Sequence, residues 1–466
     1  MSETAERIQS IRAYLKRTID DLPTEIPYAN FLVKSYQGIS YILTPKRREI
    51  EFLPPQYGLS LRIYNGTFFQ EMFSAEISQQ SVSRLVRELL AALPSESHQI
   101  DRTSFQREPV RADFNTEPEI PFSSMSMTQK VNELDQLLAE VQQSNTLVSN
   151  VRLSMREGEE TTLFVDRERD LFQQVDLGAM SLTIYVERAG KQQYSTLSRG
   201  GTVGWEVTKI TPEQRIQEVD TAIEFLDAES ISPGMYDIVA DPQTAGIITH
   251  EAFGHGVELD MFIIGRAKAA DYFNRRVGSD LVNIVDDPSF PGMSGSYFFD
   301  DEGELARETT IVKEGIFRSG LADMNSAFFL NVPRTPNGRV AHSSSKVYAR
   351  MSNTLFKPGL SDARDIIASV DHGIYLFDPW NGMEDPLGWG LQVDNHFGRE
   401  IKGGKFSGRI FSPVIMTGSV PDVLSSISAV AHDLDTLDNG ACGKGNKEYL
   451  RVCLGGPHLR LRARLG

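Results

Sequence analysis

The hydrophobic pattern of the chain changes character at Ser232-Pro233-Gly234. Before that point, strand-like alternation and helix-like periodicity follow one another in long runs. Beyond it come short alternating stretches separated by glycine-rich turns, among them Asp300-Asp301-Glu302-Gly303, Glu314-Gly315 and Gly403-Gly404. A chain of 466 residues exceeds what one hydrophobic core usually serves. The change therefore reads as a boundary within an α+β fold class, with an N-terminal α+β region over 1–228 and a mainly β domain over 232–466. With 40% apolar and 24% charged residues, both parts can build ordinary cores.

In the first region, Ala29 to Ser35 and Tyr57 to Tyr64 alternate, and Leu59, Leu61 and Ile63 share one face. Asn65-Gly66 is a favoured type I′ turn pair, and Thr67 to Phe73 supplies the returning strand of a hairpin. Val82, Leu85, Val86, Leu89 and Leu93 recur at helical spacing up to Pro94, which predicts a helix covering that hairpin. Pro94 to Ser126 lacks periodicity and reads as a connector or exposed loop between two sub-blocks, about 1–95 and 126–228. The second sub-block opens with a helix capped by Ser126 that buries Val131, Leu134, Leu138 and Val141. Strands follow over Val151 to Arg156 and Thr161 to Val165, on either side of a turn at Gly158, and again over Ser181 to Arg188. Thr211-Pro212 starts another helix, with Ile216, Val219, Ile223 and Leu226 as its apolar stripe.

Charge and cysteine usage narrow the function classes. The net charge of −16 and the lack of a basic face exclude nucleic acid as a partner. The first residues do not have the layout of a signal peptide, and no run of 18 apolar residues occurs, so neither membrane insertion nor secretion is expected and the cytoplasm is the expected compartment. Two cysteines, Cys442 and Cys453, are too few for a disulfide framework and are expected as reduced thiols.

The chemistry concentrates after the strand Met235 to Ala240. Asp241-Pro242 is an N-cap and first-turn pair, so a helix should begin there and carry Thr-His-Glu-Ala-Phe-Gly-His-Gly from Thr249. His250-Glu251-x-x-x-His255 resembles the zincin signature with one extra residue between the histidines. Residues five apart on a regular helix differ by about 140° in direction, so an unbroken helix cannot aim both imidazoles at one ion. Gly254 and Gly256 are expected to relieve this through an αL helix end or a π-bulge. Two imidazoles suit zinc, and a catalytic site takes a third protein ligand. Glu258, Asp260, Cys442, His432, His396 and His342 are all candidates by residue type. Glu251, beside the first histidine, is placed to act as general base toward a water.

His-Glu-Ala-Phe-Gly-His-Gly is similar to the metal motif of the TldD/PmbA peptidase family. Phe299-Asp300-Asp301-Glu302-Gly303, Ala349-Arg350-Met351-Ser352-Asn353-Thr354, His372-Gly373-Ile374-Tyr375 and Leu437-Asp438-Asn439-Gly440-Ala441-Cys442-Gly443-Lys444 resemble family segments in the same order. The resemblance covers about 230 to 460. It implies Zn2+ held by His250, His255 and Cys442, with Cys453 left as a buried structural thiol. It also implies peptidase activity on unfolded or flexible peptides, in a homodimer or in a heterodimer with a related subunit lacking the metal motif. Met261 to Tyr272 reads as an insertion relative to the family pattern, which leaves Arg275 and Arg276 without an assigned role. Arg350, Tyr348 and His396 are candidates for oxyanion or substrate contacts. The competing reading is a non-catalytic subunit in which zinc is structural, and Glu251 separates the two because a structural site has no use for that carboxylate.

Overall fold

A computed structural model of the protein describes residues 2–65, 68–92, 105–444 and 447–466. The N-terminal half runs α1 (Glu3–Asp20), β1 (Tyr28–Thr44), β2 (Arg47–Tyr64), β3 (Phe69–Ser74), α2 (Gln79–Ala91), β4 (Val110–Asn115), α3 (Met127–Gln143), β5 (Val148–Val165), β6 (Arg169–Arg188), β7 (Lys191–Gly201) and α4 (Pro212–Glu224). Both sub-blocks share one sheet of order β3-β2-β1-β5-β6-β4, with β7 also paired to β6, because β1 and β5 zip together antiparallel from Phe31↔Val165 to Leu43↔Leu153. Helices α1 and α2 cover Phe31, Val33 and Leu61 toward one end of these long strands, and α3 and α4 cover Tyr41, Leu153 and Leu182 toward the other. Ser126 and Thr211 each close a capping box at a helix start.

Several local expectations are corrected. Gly66, Thr67, Leu93 and Pro94 lie outside the described residues, although β2 and β3 do pair from Leu59↔Ser74 to Tyr64↔Phe69. There is no turn at Gly158: β5 passes straight through it, paired with Gly38 on one side and Leu177 on the other. The glycine is needed there because the Tyr36 ring lies across it, and a Cβ would come within 2.7 Å of the Tyr36 hydroxyl. Within the supposed connector, β4 pairs parallel to β6, and its Val110, Ala112 and Phe114 pack inward. Of the stripe expected for α4, Val219, Ile223 and Leu226 pack in the core together with Ala222, but Ile216 is 57% exposed.

The C-terminal half runs β8 (Gly234–Ala240), α5 (Pro242–Phe253), α6 (Leu259–Ile263), β9 (Ile284–Asp286), β10 (Thr309–Lys313), β11 (Ile316–Phe317), α7 (Met324–Leu330), β12 (Gly338–Arg339), β13 (Tyr348–Ala349), β14 (Asn353–Phe356) and α8 (Ala363–Ala368). It continues β15 (His372–Asp385), β16 (Gly390–Lys402), β17 (Lys405–Phe411), β18 (Val414–Ser419), α9 (Val420–Ser425), β19 (Ala429–Val430), β20 (Asp435–Lys444), β21 (Lys447–Gly456) and β22 (Leu459–Leu465). Five strands close a ring of pairings, β15-β8-β22-β18-β16 and back to β15. A second sheet has the order β11-β10-β9-β14-β21-β20. Helix α5 lies between them, against β15 and β16 on one side and β14, β20 and β21 on the other. That enclosure explains its sequence: every residue from Thr244 to Phe253 is buried, so it carries almost no amphipathic signal.

The halves meet along the face of the first sheet opposite its helices, where Leu32, Phe164 and Leu171 pack on Phe299, Val340 and Val347. Buried ion pairs reinforce the seam: Lys34 with Asp301 at 2.9 Å, and Arg62 with Glu302. The Phe299–Gly303 segment therefore joins the two halves. Among the described residues no helix is long and apolar enough to cross a membrane.

Candidate metal centre

Helix α5 delivers the first two candidate ligands. Asp241 caps it by accepting from the Thr244 amide at 2.7 Å, and Pro242 fills the first turn. The helix ends at Phe253 and the chain tightens into a 3-10 turn over His255–Val257. Neither an αL residue nor a π-bulge appears: Gly254 keeps right-handed dihedrals (φ −99°, ψ −74°) and its amide bonds the His250 carbonyl at 2.9 Å. What demands glycine at 254 is space, since a Cβ would collide with Met351 Sδ and with the His250 carbonyl. The change of helix type after Phe253 swings His255 back toward His250, leaving their rings 5.0 Å apart and nearly perpendicular.

Cys442 arrives from β20, 187 residues after His255, and its Sγ stands 3.2 Å from His255 Nε2. One donor atom from each of His250, His255 and Cys442 lies within 4.8 Å of the other two. His250 Nδ1 is buried without a hydrogen-bond partner among the described residues. An orphaned imidazole nitrogen beside a second imidazole and a thiol is a donor set that zinc fits. Burial opposes ionisation of the Cys442 thiol, but His255 and His250 outweigh it and hold the thiol well below its usual range. Burial likewise opposes charge on His255, and Cys442 and Glu258 overcome it and raise the imidazole well above its usual range.

Around these donors stands a set of charges that sequence spacing does not reveal. Glu258, 1% exposed, accepts toward His255 Nδ1 at 3.4 Å and faces Lys444 Nζ at 3.2 Å and Arg350 Nε at 3.7 Å. Burial alone would raise its pKa, but Lys444, His255 and Arg350 bring it down to about 2. Lys444 also bonds Asp260 at 2.6 Å and the Ala349 carbonyl at 3.0 Å. Glu258 thus orients His255 through its second nitrogen, an arrangement that fixes the tautomer of a ligating histidine.

Glu251 is buried on α5 against β15, and a Cβ on Gly382 would come within 2.6 Å of its Cγ. Two residues along β15, Glu384 sits over Gly256 with both carboxyl oxygens buried and unbonded among the described residues. Burial, with Glu251 and Glu258 nearby and only His255 opposing, pushes Glu384 up to about 9. Nothing in the local sequence marks Glu384; it becomes visible once β15 is placed beside α5.

The other sequence candidates fall elsewhere. Arg350 is buried and donates from Nη2 to the Cys442 carbonyl at 2.5 Å, so it braces the loop that presents the thiol. Tyr348 is half-buried on β13, under the Lys346 ammonium at 5.9 Å. His396 lies on β16 against Tyr194 and Trp380, lining a cavity that includes none of the three donors. His432 Nδ1 meets the Ser361 carbonyl at 2.8 Å, outside the group. Arg276 pairs with Asp280 on the surface, and Met261–Tyr272 folds onto the β15–β16 hairpin, where Tyr272 contacts Trp389. Cys453 is buried among Val285, Met293 and Leu355.

Residues 233–464 match the family model described as the PmbA/TldA metallopeptidase C-terminal domain. A metalloprotease of Methanothermobacter thermautotrophicus is 30% identical over 321 residues, 68% of this chain and 69% of that protein. The chain belongs to the TldD/PmbA family. Another relative, named a zinc metalloprotease TldD homolog, comes from Saccharolobus solfataricus and is 29% identical over 52% of this chain and 53% of its own length. In fold, the chain resembles the crystal structure of TldE from Thermococcus kodakarensis, with a TM-score of 0.73 over 99% of this chain and 100% of that one, at 14% identity. Within this metallopeptidase family, the matched segment contains all three candidate ligands and Glu251.

Proposed function

We propose that the protein is a zinc-dependent peptidase that cleaves unfolded or flexible peptides, with His250, His255 and Cys442 as ligands and Glu251 as general base. The observation that carries this reading is the convergence of two imidazoles and one thiol within 4.8 Å, with a buried carboxylate one residue from the first. No carboxylate joins the three donors at that spacing among the described residues, which leaves the open position a catalytic site needs. When bound there, zinc would lower the pKa of a coordinated water toward about 7 and polarise a carbonyl oxygen.

The chain's own groups account for the rest. Glu251 takes a proton from the attacking water on its carboxylate and hands it to the departing amine nitrogen. Glu384, kept uncharged at neutral pH, places no second negative charge beside it. Glu258 fixes the His255 ring, and Arg350 fixes the backbone of Cys442. Beyond Leu376, β15 has no paired strand on the side away from β16 among the described residues, and this edge passes Glu251 at Gly382. An extended peptide can add there through main-chain hydrogen bonds, which accept almost any sequence and which a folded domain cannot supply. The protein works in the cytoplasm as a dimer, with itself or with a related subunit lacking the metal motif.

Purified protein should carry about one zinc per chain, and it should cleave an unfolded domain while sparing the same domain folded. Glu251→Ala should keep the metal and lose about 10²-fold or more in rate. Equal activity in Glu251→Ala would remove Glu251 as the general base, and zinc bound without cleavage by the wild type would transfer the protein to the competing reading, a zinc-stabilised binding subunit.

A further inference from the structure

A second cavity, of about 660 Å³, opens between the halves where β7 and α4 face β15 and the start of β20, and none of its lining residues belongs to the metal centre. Four carboxyl groups line it, those of Glu218, Asp241, Asp378 and Asp435, and among the described residues no lysine or arginine accompanies them. Tyr194, His396 and Trp380 form an aromatic wall, the His396 ring standing 5.4 Å from Tyr194 and 5.7 Å from Trp380.

Asp378 has a left-handed backbone (φ 52°), a conformation that aspartate and asparagine adopt more readily than other non-glycine residues. Glu218 receives the Ser195 hydroxyl and Asp241 caps α5. The Asp378 carboxyl, by contrast, takes part in no hydrogen bond or ion pair among the described residues. Burial first, then Glu218 and Asp241, push it up to about 7. Partial burial and like charge both oppose an ionised carboxyl here, and no group among the described residues offsets them. A cation entering the cavity would. Aromatic faces favour an organic cation over a hydrated metal ion. Separate carboxyl groups suit the three divergent donors of an ammonium, whereas a planar guanidinium is matched by one carboxylate in a fork.

We propose that this cavity is a recognition pocket for an alkylammonium group, supplied by a lysine side chain of a bound peptide. Asp378 precedes Gly382 by four residues, at most about 13 Å of extended strand. With the register shift of β15 between Pro379 and Asn381, a peptide laid along β15 would seat a lysine in the pocket about three or four residues from the bond at Glu251. The peptide source rests on the peptidase reading; the ammonium site does not.

The test is calorimetric titration of zinc-loaded, full-length protein with Nα-acetyl-lysine methylamide, its norleucine counterpart and butylammonium. The lysine derivative should bind about ten- to hundredfold more tightly than the norleucine one. Asp378→Asn should erase the difference while preserving the fold, because asparagine accepts a left-handed backbone; Glu218→Gln should reduce it. Equal binding of the two derivatives, or a preference untouched by both substitutions, would overturn the proposal, as would calcium binding in place of the amine. Butylammonium binding more tightly than the lysine derivative would overturn the peptide source. In cleavage assays, replacing the lysine of a substrate by norleucine should raise KM in wild type and leave it unchanged in Asp378→Asn. No cleavage of any peptide with ammonium binding intact would refute the peptidase reading and uphold the pocket.

Discussion

Gly382→Ala isolates the placement of Glu251 from the holding of the metal. A Cβ built on Gly382 stands 2.6 Å from Glu251 Cγ, 2.7 Å from its Oε1 and 2.6 Å from Ile247 Cγ2. Ordinary carbon contacts lie at about 3.5–4.0 Å, so roughly 1 Å of relief is required. Strand β15 cannot retreat freely, because Gly382 is paired with Val393 of β16, and Ile247 belongs to the enclosed helix. The Glu251 side chain is the part that yields. Displacing a general base by about 1 Å costs about hundredfold in rate, while the overpacking costs about 1–3 kcal/mol of stability. The proposed ligands are untouched, so zinc content should stay at the wild-type value. Metal analysis with kcat/KM on an unfolded peptide decides the matter. Activity within about threefold of wild type, with zinc and fold intact, would refute the assignment of Glu251 as general base.

The two cysteines should separate cleanly: Cys442→Ala should weaken zinc retention during dialysis against a chelator, and Cys453→Ala should leave it near wild type. Equal effects would move the third ligand away from Cys442. For Asp378 the pH dependence has a definite sign. Its folded pKa of about 7 exceeds the unfolded value of about 3.9, so the folded state binds more protons between them and stability falls as pH rises through that window. The melting temperature of Asp378→Asn relative to wild type should accordingly increase from about pH 4 to about pH 7, and a constant difference would contradict the raised pKa.

Long, cleanly alternating or capped segments were legible in the sequence because their signals are local. The caps at Ser126, Thr211 and Asp241 and the strand around Leu59–Ile63 depend on near neighbours. Gly158 misleads because glycine is a local turn signal, whereas the reason it stays in a strand is Tyr36, more than a hundred residues earlier. Strand β4 hides in a polar connector because only three of its residues, Val110, Ala112 and Phe114, pack inward. At the centre, the His250–His255 spacing announces that the helix must end, and the sequence does not say how; Met351 against Gly254 supplies the constraint. Cys442 could be named through family resemblance and not through spacing. Glu258 stood out only as another metal-ligand candidate, since its role toward His255 depends on Lys444 and Arg350. Glu384 gives no signal at all until β15 lies beside α5.

The ring of strands also sets an order of events during synthesis. β8 precedes α5 directly, yet its ring partners β15 and β22 begin at His372 and Leu459, and the thiol of the centre follows the second histidine by 187 residues. A nascent chain that has exposed α5 holds both imidazoles and Glu251 without Cys442, and without the sheet that encloses the helix. Pairings this distant in sequence form late and slowly. On the peptidase reading, a nascent chain that lacks β20 has no assembled centre with which to attack itself or its unfolded neighbours, and competence arrives only when β20 and β22 have been made and docked.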